Sequence, residues 1–194
     1  KKILFLGDRD SPIMEWLIKI GENVIQTSDK ITTEYVYFHE IDFIISYGYR
    51  HIVRKNILDL LPNKVINLHI SYLPFNRGAD PNFWSFIENT PKGVTIHYLD
   101  EGIDTGDIIT QEKVKFNTKK ETLATSYEKL QLTIQKLFKQ SWQDIINKKF
   151  KPKKQVGVGS FHKVKDKIDF DYLLKDGWNT PVSVLVKYSE NNRI

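Results

Sequence analysis

The sequence predicts an α/β fold: a wound, mostly parallel sheet with helices on both faces and a short C-terminal extension. Three stretches carry that prediction. The chain opens on an apolar run, Lys2 to Leu6, that breaks at Gly7 into Asp8-Arg9-Asp10-Ser11-Pro12. This is the pattern of a strand, a tight turn and a helix start, with Ser11 as N-cap and Pro12 at the first helical position. Phe43 to Tyr47 reads FIISY, apolar on both faces as a strand buried between helical layers must be. Leu123, Tyr127, Leu130, Ile134, Leu137, Ile145 and Ile146 recur at helical spacing within residues 122–148, which predicts a long helix covering one face of the sheet.

Taken in order, the first helix is expected to run to Gly21 with Ile13, Trp16, Leu17 and Ile20 inward. Asn23 to Gln26 and Tyr35 to His39 read as short strands, and Ile52 to Leu61 as a helix closed by Pro62. Residues 65–70 form the next strand, followed by a loop, LPFNRGADPN, long enough to suggest function over mere connection. Residues 93–99 and 107–115 read as strands on either side of a double turn. Past the long helix a basic linker with Pro152 leads to a small unit in which 169–176 reads as a short helix and 182–188 as an apolar strand. The expected organisation is a main catalytic domain over 1–150 and an extension over 151–194, too short to form its own core and so docked on the main domain or a second subunit.

A chain of 194 residues with a net charge of +5 and no cysteine has no disulfide framework, thiolate nucleophile or thiolate metal site. No apolar run approaches the roughly 18 residues of a membrane span. The apolar start stops too soon for a signal peptide, so a cytoplasmic location is expected. The positive excess near Lys148 to Lys154 reads as a solvated face. GxGxxG is missing, so dinucleotide binding is not indicated. Arg9, in the first turn above the sheet, stands where open α/β sheets bind ligands and is a candidate for a diphosphate contact.

The chemistry concentrates in residues 65–106. In VINLHI, a period of two places Asn67 and His69 on one face, with Ile66, Leu68 and Ile70 on the other. Buried polar side chains need partners, since an unpaired one costs about 1–3 kcal/mol. Asp104, in the glycine-flanked turn EGIDTG, is the nearest plausible one. An amide, an imidazole and a carboxylate converging at a strand end suit acid–base work on a carbonyl, the amide donating to a developing oxyanion and the ring moving a proton. A core histidine tied to a loop aspartate is the plainer reading of a lone His/Asp pair. His97, on the strand over 93–99, is a candidate to join them, with a structural hydrogen bond as its plainer role.

NLHISYLPFNRGADPNFW followed by GVTIHYLDEGIDTGDII resembles the catalytic core of the formyltransferases that use N10-formyltetrahydrofolate. Within that group, NRGADPNFWS and GSFHKVKD are most similar to the nucleotide-sugar N-formyltransferases. The resemblance implies the Rossmann-like formyltransferase fold, with Asn67, His69 and Asp104 as catalytic residues. It implies a pterin held by the loop of Tyr49, Arg50, His51 and Ile52, largely through backbone groups, and bordered by the loop of Leu99, Asp100 and Gly102. Arg9, Asn76, Arg77, Gly78, Asn82 and Trp84 are the candidates for the nucleotide-sugar, with packing the competing role for the aromatic residue. The implied partners are N10-formyltetrahydrofolate and a nucleotide-linked amino dideoxysugar, favoured as dTDP-4-amino-4,6-dideoxyglucose, on the way to a surface polysaccharide such as O-antigen. No metal, nucleic acid or membrane is implied, and a homodimer is expected. The competing readings are a glycinamide ribonucleotide formyltransferase, a metal hydrolase ligated by His69, His97 and Asp104, and an inactive folate-binding homologue.

Overall fold

The computed structural model describes residues 1–192. In chain order the elements are β1 (Lys2–Gly7), α1 (Pro12–Lys19), β2 (Asn23–Thr27), α2 (Thr33–Phe38), β3 (Phe43–Tyr47), α3 (Lys55–Leu60), β4 (Val65–His69) and β5 (Arg77–Gly78). They continue with α4 (Pro81–Ile87), β6 (Gly93–Tyr98), β7 (Ile108–Lys113), α5 (Leu123–Ile146), β8 (Phe161–His162), 3-10 helices over Val164–Leu173 and Gly177–Asn179, and α6 (Val182–Asn191). The main sheet has the order β2-β1-β3-β4-β6-β7, and β5 pairs with β8. The β1–β2, β1–β3 and β3–β4 pairs are parallel. The expected wound α/β architecture is the one observed.

The chain forms two compact units, one of residues 1–69, 96–110 and 138–154, the other of 70–95, 111–137 and 155–194. In the first, alternation along the strands sorts the side chains into two layers. Leu4, Leu6, Ile44 and Val65 pack with Val36 of α2 and Ile57 of α3. Ile44's neighbour Phe43 points to the opposite face, where its ring meets Trp142 of α5 at 5.6 Å and Phe138 meets Trp16 of α1 at 6.1 Å. Helices therefore cover both faces of this part of the sheet. Ser11 caps α1, its hydroxyl accepting from the Ile13 N–H, and Pro12 follows as expected. Ile20 does not face inward: it is the C-cap residue and is 42% exposed.

In the second unit Phe83, Trp84, Phe86 and Ile87 of α4 pack with Leu123, Val182 and Leu185. Ser160 to His162 run beside 76–79: the Arg77 N–H donates to the Ser160 carbonyl and the Ala79 N–H to the His162 carbonyl. Gly78, at φ 82, lies so close to the His162 carbonyl that a Cβ would overlap it. The side chain of Thr95, fully buried, donates to the Ser71 carbonyl at 2.7 Å and accepts from the Leu73 N–H at 3.2 Å, which fixes the start of the loop after β4.

Two expected strands are helices. Residues 35–38 belong to α2, with His39 as its C-cap, because the Thr32 hydroxyl accepts from the Tyr35 N–H and nucleates a turn that aromatic, β-branched composition disguises. Residues 182–188 begin α6, whose buried Val182, Leu185 and Ser189 have helical spacing. The expected helix over 52–61 is α3, which starts only after an extended Arg54, and the short helix expected at 169–176 lies earlier, as the 3-10 segment Val164–Leu173. Along α5, Tyr127 is 49% exposed and Ser126 takes the buried place beside it.

The ammonium of Lys92 donates to the carbonyls of Ser85 at 2.9 Å and Thr90 at 3.0 Å and lies 4.8 Å from the Phe86 ring, closing the C-terminal end of α4. Burial pushes its pKa down to about 8 from 10.5. Between these values the unfolded chain holds a proton the folded chain has lost, so stability from this group rises with pH across that window. Urea unfolding of the wild type and Lys92→Met at pH 7.5 and 9.5 should therefore show the wild type gaining relative to the variant at the higher pH; a difference independent of pH would refute the burial of this ammonium.

Candidate active site at the end of β4

Val65, Asn67 and His69 occupy one side of β4, so the face that begins in the apolar core becomes polar as the strand reaches its carboxyl end. Ser46 is the register partner of Asn67 on β3, which extends the polar zone by one strand. Asp104 arrives from the turn between β6 and β7, with φ 54, a left-handed conformation that Asp tolerates better than most residues.

Its carboxylate is the meeting point. Oδ1 accepts from the Asn67 amide at 3.2 Å and lies 3.4 Å from His97 Nε2, while Oδ2 lies 3.6 Å from His69 Nδ1. The two imidazole rings stand at 90° with centroids 6.4 Å apart. His97 is fully buried, and its Nδ1 lies 2.8 Å from the Tyr98 carbonyl oxygen. A carbonyl only accepts, so Nδ1 carries a hydrogen, and Nε2 faces Asp104, 3.4 Å from the Asn67 amide nitrogen. His69 and Asp104 are 8% and 9% exposed, so the group works largely out of bulk water. Such a set can donate to a carbonyl oxygen, move a proton and hold the charge that results. Sequence spacing alone gives Asn67, His69 and Asp104; the participation of His97 depends on how closely the β6–β7 turn folds back. Among the described residues no group of three His, Asp or Glu side chains is placed to hold a metal ion.

The turn that carries Asp104 is knitted by Asp100, whose carboxylate accepts from the Thr105 hydroxyl at 2.6 Å and the Gly102 N–H at 3.1 Å. Leu99 is tied to β4 through its N–H and the Val65 carbonyl. In the loop after β3, Tyr49 is structural by its side chain: the hydroxyl donates to the Asp29 carbonyl at 2.7 Å and accepts from the Ile31 N–H, and burial raises its pKa. Arg50, His51 and Ile52 are exposed. A cleft of about 500 Å³ opens at the carboxyl ends of β1, β2 and β3, walled by Gly7 to Arg9, by Gln26 and Ser28, and by Gly48 to His51.

The other substrate candidates lie in the second unit. Asn76 is fully buried and its amide donates to the Thr90 hydroxyl at 2.8 Å. Arg77 gives Nε and one terminal nitrogen to Gln155 Oε1, at 3.0 and 2.7 Å. Asn82 donates to the Leu123 carbonyl, and Trp84 stacks on His162 with the rings 3.7 Å apart and nearly parallel; His162 is also paired with Glu88. These contacts hold the 76–84 segment to the chain around it.

The formyl transferase family model matches residues 21–141. Among solved structures, the chain is similar to the formyltransferase PseJ of Anoxybacillus kamchatkensis, in complex with UDP-4,6-dideoxy-4-formamido-L-AltNAc and tetrahydrofolate: 47% identity, TM-score 0.92, covering 97% of this chain and 100% of that one. It is also similar to a 4-N formyltransferase from Francisella tularensis, at 25% identity and TM-score 0.72 over 97% of this chain and 87% of that one. A methionyl-tRNA formyltransferase of Clostridium botulinum is 32% identical over 162 residues, which cover 81% of this chain. The chain spans only part of the length of the curated relatives it matches, 52% of that protein and 25% of its Finegoldia magna counterpart.

Gly106 sits against the Tyr98 carbonyl, the same group that holds His97 Nδ1, and a Cβ there would overlap it. Gly106→Ala should lower stability by about 1–3 kcal/mol and move the His97 ring resonances in NMR spectra. Unchanged resonances would show that the Tyr98 carbonyl does not hold the ring.

Proposed function

The chain belongs to the formyl transferase family, and from that premise we propose that it moves the formyl group of N10-formyltetrahydrofolate to the primary amine of a nucleotide-linked amino sugar. The observation that carries this reading is the convergence of Asn67, His69 and His97 on the Asp104 carboxylate at the end of β4. For the acceptor, the likeness to PseJ, at 47% identity over the whole of that chain, favours a UDP-linked 4-amino-4,6-dideoxy sugar over the thymidine-linked one suggested by sequence resemblance.

N10-formyltetrahydrofolate supplies the electrophilic formyl carbon. Two loops of this chain suit its ring system: Ile52 and Ile103 are 70% and 46% exposed, apolar surface offered by the segments after β3 and β6. Asn67 has two amide hydrogens; one goes to Asp104, and the other is assigned to the formyl oxygen as negative charge grows there. His69, held by Asp104 through Nδ1, uses Nε2, on the far side of its ring, to take the proton of the attacking amine and return it to the departing nitrogen. His97 acts through Asp104 as a positioning residue.

Incubation with 10-formyltetrahydrofolate and a UDP-linked or a dTDP-linked 4-amino-4,6-dideoxy sugar should give the formamido product, faster with the UDP sugar. Asn67→Ala, His69→Ala and Asp104→Ala should each lower kcat on the order of a hundredfold or more. His97→Gln should lower kcat roughly ten- to a hundredfold, leave both KM values near wild type and change the shape of the pH profile. No product from either sugar, or catalytic variants within a few-fold of wild type, would overturn the proposal.

A further inference from the structure

Ser46 is a buried hydroxyl outside the cluster of Asn67, His69, His97 and Asp104. It is the register partner of Leu6 on β1 and of Asn67 on β4. Ile44, two residues before it, packs with Val65, two residues before Asn67, so alternation puts the Ser46 and Asn67 side chains on one face of neighbouring strands. Adjacent strands lie about 4.8 Å apart, close enough for both side chains to touch one small group. Ser46 is 6% exposed, and a hydroxyl so placed is ordinarily paired. Ser71, Ser85, Thr95 and Ser126 give theirs to carbonyls of the chain. Among the described residues Ser46 has no such partner, a lack it shares with Ser141 and Ser189, which lie on α5 and α6. Ser46 instead stands near a strand end beside an open place. Two residues on, Gly48 has no side chain and, its chain neighbours aside, no atom within 4 Å of where a Cβ would be.

The strands flanking β4 divide its surroundings, β6 on one side and β3 on the other. Asp104, in the turn after β6, and His97, on β6, meet the Asn67 amide from the β6 side. The two hydrogens of a planar amide nitrogen diverge, so the one not given to Asp104 turns away from β6, toward β3 and Ser46. Resting on the transferase reading above, we propose that the Ser46 hydroxyl is a second donor to the formyl oxygen, sharing that atom with Asn67. As the amine nitrogen bonds to the formyl carbon, the carbonyl electron pair moves onto oxygen, which then accepts more than one hydrogen bond; Ser46 donates one and keeps its proton. The fully buried Leu6 closes the β1 side, so the oxygen is held by two donors with apolar protein beyond them. An unpaired buried hydroxyl destabilises the resting fold. It gains its bond as charge grows on the oxygen, which places its effect in the transition state.

Ser46→Ala removes one oxygen atom and no packing carbon, so the variant should fold with a Tm at or above that of the wild type. With 10-formyltetrahydrofolate and the better of the two sugars, its kcat should fall about tenfold or more while both KM values stay near wild type. Two donors to one atom act as a unit, so Ser46→Ala/Asn67→Ala should lose less than the product of the two single losses. An unchanged kcat, a lowered Tm or losses that multiply overturns the assignment. Release of formate from 10-formyltetrahydrofolate, with water in place of the amine, reads the same oxygen without any sugar and should fall in Ser46→Ala as transfer does. Formate release that depends on Ser46, with no transfer to either sugar, overturns the acceptor reading alone. Formyl transfer indifferent to Ser46 overturns this assignment alone, and a wild type that neither transfers nor releases formate overturns both.

Discussion

The Asp104 carboxylate is the group on which the carboxyl end of the sheet depends. It stands between an amide and two imidazoles that come from two strands, and its oxygens are divided among them: Oδ1 toward Asn67 and His97, Oδ2 toward His69. A left-handed backbone costs an L-residue roughly 1–2 kcal/mol, and the charged hydrogen bonds that the conformation permits offset it. The same turn approaches the Tyr98 carbonyl so closely at Gly106 that only a glycine fits, and that carbonyl orients His97. One tight turn thus sets both the acid and the second ring.

The sheet makes this affordable by confining polar groups to one end. Leu4, Leu6, Ile44 and Val65 are buried with α2 and α3, and two residues further along β4 the same face carries Asn67, then His69. Where helical cover ends, loops replace it, and a polar side chain there meets partners that a helix face would not provide. The cleft bordered by Arg9 and Arg50 is the same transition on β1 and β3. Exposed apolar side chains, Ile52 and Ile103, belong to loops after β3 and β6, while the cleft is lined by charged and amide side chains together with the rings of Tyr49 and His51.

Much of this was legible in residue order. Period-two alternation put Asn67 and His69 on one face, the glycines of EGIDTG marked the turn that brings Asp104 back, and Ser11-Pro12 marked the first helix start. What escaped were features decided by neighbours distant in the chain. Tyr35 to Phe38 and Val182 to Val186 have strand-like composition, but a Thr32 cap and the apolar surface of α4 make them helical, a case of context overriding propensity. Asn76 and Asn82 read as polar ligands in a loop, and residue order does not show that both are buried, their amides donating to the Thr90 hydroxyl and the Leu123 carbonyl. Arg9 and Arg50 are separated by α1, β2, α2 and β3 in sequence, and only the strand order shows that they share one cleft.

One carboxylate is paired here with two imidazole rings. A single His–Asp pair holds its charge on one imidazole, and that ring must both receive the proton of the incoming amine and keep its orientation when charged. Here Asp104 touches a second ring whose Nδ1 is already committed to a carbonyl, so His69 Nδ1 and His97 Nε2 share one carboxylate. When His69 is charged, a neutral His97 leaves its Nε2 as an acceptor for the Asn67 amide, 3.4 Å away. When His97 takes a proton, it draws on the same carboxylate oxygen that Asn67 uses, loosening the amide from Asp104. The Asn67 amide and the His97 ring therefore meet on one oxygen atom, Asp104 Oδ1, while His69 is held by the other, and the buried ring bears on how firmly Oδ1 holds the amide.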